Sequence, residues 1–278
     1  VVTSTDSQRL IDAIVPIVAD AGRAILEVYE SKFDVVAKDD ASPLTQADLA
    51  SHTLIFNALR ALTPEIPVLS EESKAPDFAT RQSWPRYWLV DPLDGTKEFI
   101  NRNGEFTVNI ALIEDHRATL GIVGVPAQDV IYCGDVEARR AERRDRNGVR
   151  ALDGRRMDPA RELVVVASRS HGGERLENYL DALAQRFPSV ARTPVGSSLK
   201  FCILAEGRAD FYPRLGPTSE WDIAAAHAVL AAAGGAVWTL DRAPLRYNTK
   251  DSLLNPEFFA VADARFDWWK ALPPIAPA

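Results

Sequence analysis

The chain has 278 residues, 46% of them hydrophobic and 26% charged, a globular composition with length for one large domain or two moderate ones. Its formal net charge of −7 argues against binding a nucleic-acid polymer, which needs a basic surface, but not against a small anionic substrate, because a bound cation inverts the sign of an acidic site. The longest apolar stretches, such as 223–233 with His227 inside it, are too short to span a bilayer, and no basic segment followed by an apolar run marks a secretory leader near the N-terminus.

In chain order, residues 6–31 place Leu10, Ile14, Ile17, Val18, Ala21, Ile25 and Val28 at helical spacing. Residues 46–62 repeat the pattern with Leu49, Leu54, Ile55, Ala58 and Leu59, and Pro64 closes it. Strand-like runs follow at 67–69, 87–90, 106–113, 118–125 and 130–133, with hairpin turns predicted at 114–117 and 127–129. Residues 137–161 are polar, with eight arginines before Arg161. A basic run can mark an RNA or membrane patch, but interleaved acids and glycines predict a solvated loop or hairpin between two domains. Beyond it, 163–167 reads as a buried strand, 174–186 and 199–205 as helices, and 209–212 as a strand. Residues 223–233 read as a helix ended by Gly234 and Gly235, and 236–240 and 258–262 as strands. The order suggests an α+β half followed by an α/β half, with a boundary near residues 150–160. The two cysteines, Cys133 and Cys202, allow no disulfide framework or CxxC metal pattern; they fit buried positions in a protein of the reducing cytoplasm.

The segment Trp88-Leu89-Val90-Asp91-Pro92-Leu93-Asp94-Gly95-Thr96 carries the strongest chemical signal. An apolar strand runs straight into two carboxylates, with Pro92 fixing the backbone after Asp91 and Gly95 permitting a sharp turn. Asp91, Asp94 and the carbonyl of Leu93 form a hard-oxygen set of the kind that suits Mg²⁺, and Thr96 adds a hydroxyl able to orient a water. Alone, the same residues fit a strand and turn with solvated aspartates. Other acids stand in comparable places: Glu71 and Glu72 after the run 67–69, Asp222 before an apolar helix, and Asp48 at the start of the second helix. Each also has a local reading, since Ser219 and Asp222 fit a capping box and Asp48 complements a helix dipole.

These marks together resemble the inositol monophosphatase superfamily, whose members are lithium-sensitive, magnesium-dependent phosphatases. Lys97-Glu98-Phe99, the run from Arg102 to Asn109, Ser168-Arg169-Ser170-His171, the run from Gly196 to Cys202, and Tyr212-Pro213-Arg214 sharpen the likeness to its 3′(2′),5′-bisphosphate nucleotidase branch of the CysQ type. The resemblance implies a layered αβαβα sandwich. Residues 1–155 would form an α+β half with most metal ligands, and residues 156–278 an α/β half with the nucleotide contacts and one ligand. It implies that Glu71, Asp91 and the Leu93 carbonyl hold one Mg²⁺, that Asp91, Asp94 and Asp222 hold a second, and that a third ion uses Glu71 with waters. Asp48 with Thr96 would polarise the attacking water, making Asp48, Glu71 and Thr96 the catalytic set. Gly95, Thr96, His171, Ser197, Ser198, Lys200, Arg214 and Asp222 would meet the substrate.

The implied reaction is hydrolysis of the 3′-phosphate of adenosine 3′,5′-bisphosphate to AMP and phosphate by a metal-activated water. Lys200 and Arg214 are reasonable partners for the phosphate that stays, although a lone basic residue is more often a solvated charge. Capping by Ser197 and Ser198 is compatible with anion binding. Rival readings are a superfamily phosphatase for inositol monophosphate, fructose 1,6-bisphosphate or NADP, a catalytically silent nucleotide-binding module, and an RNA-binding protein using the arginine interval. The expected partner is a small nucleotide, with no stable membrane insertion, and the expected assembly is a monomer or homodimer.

Overall fold

The computed structural model describes residues 4–31, 43–167 and 173–275. The first helix, α1 (Ser4–Glu30), buries Ile11, Ile14, Val18, Ala21 and Ile25 on one face, and Pro16 lies on the exposed face. It packs against α2 (Pro43–Leu62), and both cover one face of a seven-stranded sheet. The chain then runs through β1 (Val68–Ser70), α3 (Phe78–Gln82), β2 (Arg86–Asp94), α4 (Thr96–Ile100), β3 (Thr107–Glu114), β4 (Arg117–Val125), β5 (Val130–Asp135), β6 (Arg140–Asp145) and β7 (Gly148–Leu152). These seven strands lie side by side in chain order, β1 parallel to β2 and the rest antiparallel.

The second sheet is mixed. Its elements are β8 (Leu163–Ala167), α5 (Gly173–Ala184), β9 (Val190–Pro194), α6 (Leu199–Ala205), β10 (Phe211–Arg214), α7 (Glu220–Ala232), β11 (Ala236–Thr239), β12 (Phe258–Val261) and α8 (Trp268–Ala271). The strands stand in the order β11-β12-β10-β8-β9. The period-2 alternation of β2 sorts the layers: Trp88 and Val90 face α1 and α2, whereas Tyr87 and Leu89 face α6 and α7. The far face of α6 and α7 meets Val166, Tyr212, Phe258 and Ala260 of the second sheet, whose outer face packs Val165, Phe211, Phe259 and Val261 with Tyr179 and Trp268. The result is the expected five-layer αβαβα sandwich.

Helix α7 sits unusually close to the first sheet, which matters because Asp222 lies in its first turn. A Cβ on Gly121 would fall 2.0 Å from the carbonyl oxygen of Ala225, and one on Gly134 would fall 2.5 Å from the Cα of Val229. Two glycines below and Ala224, Ala225, Ala226 and Ala228 above remove the side-chain bulk that would hold the layers apart.

Several elements differ from the sequence reading. The arginine interval forms a hairpin, β6 and β7, one of the two forms expected of it, but part of it is drawn into the fold. Ala141 and Leu152 are buried, and Arg143 and Arg150 donate to Glu206, whose side chain is 1% exposed. Arg144 pairs with Asp12 and Glu142. These arginines serve the fold's own carboxylates. The short α3, α4 and α8 and the strand β9 were not anticipated, and the predicted turn at 127–129 is a 3₁₀ turn over Pro126–Gln128. Cys133 and Cys202 are free and buried. No helix among the described residues is long and apolar enough to cross a membrane.

Candidate active site

A cleft of about 360 Å³ opens where the end of β2, the start of α4, the turn before α6, the end of β10 and the start of α7 converge. Its wall includes Glu71, Asp91, Leu93, Asp94, Asp222, Gly95, Thr96, Ser197, Ser198, Lys200 and Arg214. Segments separated by more than a hundred residues thus place their chemistry on one cavity. His171 lies outside the described residues. Asp48 is not part of the cleft wall; it neighbours Glu71 and shares a hydrogen bond with Glu72.

The carboxylates are positioned by backbone geometry. Strand β1 delivers Glu71, whose N–H donates to the Val90 carbonyl at 3.1 Å. Asp91 pairs in register with Asn109, and the register shifts before Asp94 pairs with Thr107. That irregularity falls at Pro92, which has no N–H for a ladder, and the Asp91 carboxylate accepts from the Leu93 N–H at 3.0 Å. Asp222 occupies the first turn of α7 and accepts from the Ser219 N–H at 2.9 Å. Its capping role and its place in the cleft therefore coexist. One oxygen from each of Glu71, Asp91 and Asp222 lies within 4.8 Å of the others.

Asp94 is held by a bonded set that crosses the two sheets. The Ser198 N–H donates to Asp94 Oδ2 at 2.6 Å, with Thr107 Oγ1 at 3.4 Å. The Ser198 hydroxyl reaches Thr107 and Asn109 at 2.9 and 2.7 Å. It does not cap α6. Thr107 and Asn109 were missed from the sequence, although two polar residues at i and i+2 in the otherwise apolar run 106–113 mark one strand face as a polar site. Glu105 was missed too; its carboxylate accepts from the Gly196 N–H at 2.7 Å, fixing the turn that carries Ser197 and Ser198.

Crowding of acids away from water raises their proton affinity. Burial, with repulsion from Glu72 and Glu71, lifts Asp48 to about 8. Loss of water around the Glu71 carboxyl, then the charges of Glu72 and Asp94, lift it to about 7, even though the residue stands at an exposed rim. Burial lifts Asp94 to about 7 and Asp222 to about 6, and fully buried Asp91 goes well above the usual range. On the opposite wall, burial lowers Lys200 to about 8 against the pull of Asp94; its Nζ donates to the Ser197 carbonyl at 2.8 Å and lies over the Tyr212 ring. Arg214 donates to the Gly216 and Pro217 carbonyls, which hold its guanidinium at the cleft.

This donor set suits a divalent cation. Every clustered group is an oxygen ligand, as Mg²⁺ prefers, and Asp48 Oδ1 is buried without a hydrogen-bond partner. His227 and His116 lie outside the cleft wall. His227 bonds the Tyr247 hydroxyl at 2.7 Å and His116 the Tyr247 carbonyl at 2.8 Å.

A model of the inositol monophosphatase family matches residues 6–266. The chain is 49% identical over 252 residues to the 3′(2′),5′-bisphosphate nucleotidase CysQ of Escherichia coli (strain K12), covering 90% of this chain and 98% of the relative. It is 33% identical over 264 residues to the protein of the same name from Haemophilus influenzae, covering 95% and 97%. Among solved structures, CysQ from Bacteroides thetaiotaomicron aligns with a TM-score of 0.82 at 39% identity, covering 93% of this chain and 98% of that one. An inositol monophosphatase from Zymomonas mobilis aligns with a TM-score of 0.75 at 23% identity, covering 93% and 94%, a likeness of fold.

Proposed function

Since the chain belongs to the inositol monophosphatase family, we propose that it is a magnesium-dependent 3′(2′),5′-bisphosphate nucleotidase that converts adenosine 3′,5′-bisphosphate to AMP and phosphate. The observation that carries this reading is 49% identity to a nucleotidase of that name along 98% of the relative's length. The cleft is consistent with it. Its volume of about 360 Å³ suits a nucleotide-sized ligand, and its two walls carry opposite charge.

Glu71, Asp91 and the Leu93 carbonyl would hold one Mg²⁺, Asp91, Asp94 and Asp222 a second, with Glu71 available to a third. Such ions, when bound, screen the dianionic ester and make water a competent nucleophile. The chain's own residues do the rest. Thr96, at the start of α4 on the cleft wall, and Asp48, behind Glu71, orient the attacking water. Lys200 and Arg214 neutralise the phosphate that is kept, with Arg214 already held in place by two carbonyls. Gly95 brings the backbone close to the ester, and Ser197 borders the nucleotide. Ser198 acts by holding Asp94, since its N–H and hydroxyl are both engaged.

The test is a substrate series at saturating Mg²⁺: adenosine 3′,5′-bisphosphate against inositol monophosphate, fructose 1,6-bisphosphate and NADP. A kcat/KM at least a hundredfold higher for the nucleotide bisphosphate is expected. A reversed preference would leave the phosphatase and overturn the nucleotide assignment. Tight nucleotide binding with no phosphate released from any of them would instead support a silent binding module.

A further inference from the structure

Three carboxylates within 4.8 Å of one another repel when ionised, so something must hold Glu71 and Asp222 together. The strap that follows Glu71 gives little help from hydrophobic burial. Of residues 71–82, Arg81 alone is buried, and the rest are half-buried or exposed. Asp222, for its part, sits two residues beyond Glu220, which is only 1% exposed and does not line the cleft.

Arg81 and Glu220 are joined through one residue. Arg81 donates to Asn248 Oδ1 at 2.6 Å, to the Asp251 carbonyl at 2.7 Å and, from Nε, to the Pro76 carbonyl at 3.0 Å. Asn248 returns a bond from Nδ2 to the Arg81 carbonyl at 2.7 Å. The Asn248 N–H is shared by both oxygens of Glu220, at 3.0 and 2.8 Å. Asn248 adopts the left-handed conformation, φ 52°, which presents its N–H and its side chain to different partners and which Asn tolerates better than most residues. Burying a guanidinium and a carboxylate is costly, so such a pair is weak evidence for a stability role and better evidence for fixing one geometry over another.

We infer that Arg81, Asn248 and Glu220 form a buried clasp of positioning residues that ties the Glu71 strap to the first turn of α7, and that this clasp sets the affinity of the carboxylate cluster for a divalent cation. The inference rests on the cluster being a cation site. The clasp closes a short circuit through the fold. Glu71 and Arg81 are ten positions apart along the strap, and Glu220 and Asp222 two positions apart along α7. None of the clasp's three residues lines the cleft.

The experiment is Mn²⁺ binding to the full-length chain, measured by electron paramagnetic resonance of the free ion. Glu220→Ala removes both acceptors for the Asn248 N–H, whereas Glu220→Gln removes the same charge but keeps one. The clasp predicts a dissociation constant raised about tenfold by Glu220→Ala and less than about threefold by Glu220→Gln. Asn248→Gly keeps the left-handed backbone available and deletes the link to Arg81, with a rise of about fivefold expected. If a variant fails to fold, Arg81→Lys, which keeps the charge and loses the fork, takes its place with the same expected rise. Equal shifts for Ala and Gln at position 220 would reduce the effect to charge and overturn the clasp. Unchanged Mn²⁺ affinity in folded Glu220→Ala and Asn248→Gly, or in Arg81→Lys, would overturn it while leaving the cation site intact. No Mn²⁺ binding by the parent chain would overturn the cation site and the clasp together.

Discussion

Replacing Asp94 by Asn should raise stability and remove activity in the same protein. Asp94 is lifted from 3.8 to about 7, chiefly by burial and then by Asp222, against the opposing pull of Lys200 and the Ser198 N–H. The folded state therefore holds the Asp94 proton more tightly than the unfolded state does. The penalty for ionising it is absent below pH 4, grows as pH rises, and is complete above pH 7. About three pH units at about 1.4 kcal/mol each set a ceiling of about 4 kcal/mol. Neighbouring acids relax when one charge disappears, so a gain of about 2 to 4 kcal/mol is expected at pH 8. Asn retains an oxygen for the Ser198 N–H now at 2.6 Å, and Lys200 keeps Glu98 and Glu105 as charge partners. Thermal unfolding in chelator should show Tm higher by about 4 to 10 °C at pH 8, with a smaller gain at pH 5. Turnover in Mg²⁺ should fall at least a hundredfold. A variant that is less stable than the parent in chelator at pH 8, or that keeps its turnover, would refute the placement of Asp94 in a crowded cation site.

The cluster as a whole makes the metal-free protein less stable as pH rises from 6.5 to 8, because Asp48, Glu71 and Asp94 have folded values of about 8, 7 and 7. His227, lowered from 6.5 to about 4, is neutral in the folded state but still half protonated in the unfolded state at pH 6.5, so it opposes the trend at the lower edge of that window, and Lys200, lowered to about 8, begins to oppose it at the upper edge. Tm in chelator should fall across it and Mg²⁺ should flatten the slope; a rising Tm in chelator would count against the cluster. Lys200→Ala should raise KM for the bisphosphate about tenfold or more while changing that for a monophosphate less. Equal changes would remove Lys200 from the retained phosphate. Gly121→Ala should cost about 3 kcal/mol or prevent folding, because its Cβ would meet the Ala225 carbonyl oxygen at 2.0 Å, and calorimetry would show it. A neutral result would mean that α7 does not need its close approach.

The sequence disclosed the layers where periodicity was clean. The helical spacing of Ile14, Val18, Ala21 and Ile25 and the mainly apolar runs of β3, β4 and β8 needed no long-range information. The β6 and β7 hairpin was less legible because its arginines are matched to Glu206, which caps the far end of α6 and is invisible from the local pattern. The acids of the site announced themselves by type and spacing, but not their partners. That Ser198 spends its N–H on Asp94 depends on two segments 104 residues apart meeting across the sheets. The tie from Arg81 through Asn248 to Glu220 spans 167 residues at its longer link and leaves no trace in composition or period.

The most direct test of the account is phosphate release from adenosine 3′,5′-bisphosphate, measured with Mg²⁺ and again with chelator. The account predicts AMP and inorganic phosphate in equal amounts with Mg²⁺, none with chelator, and recovery when Mg²⁺ is restored. An unchanged rate in chelator, or no release with Mg²⁺ from a folded protein, would contradict it.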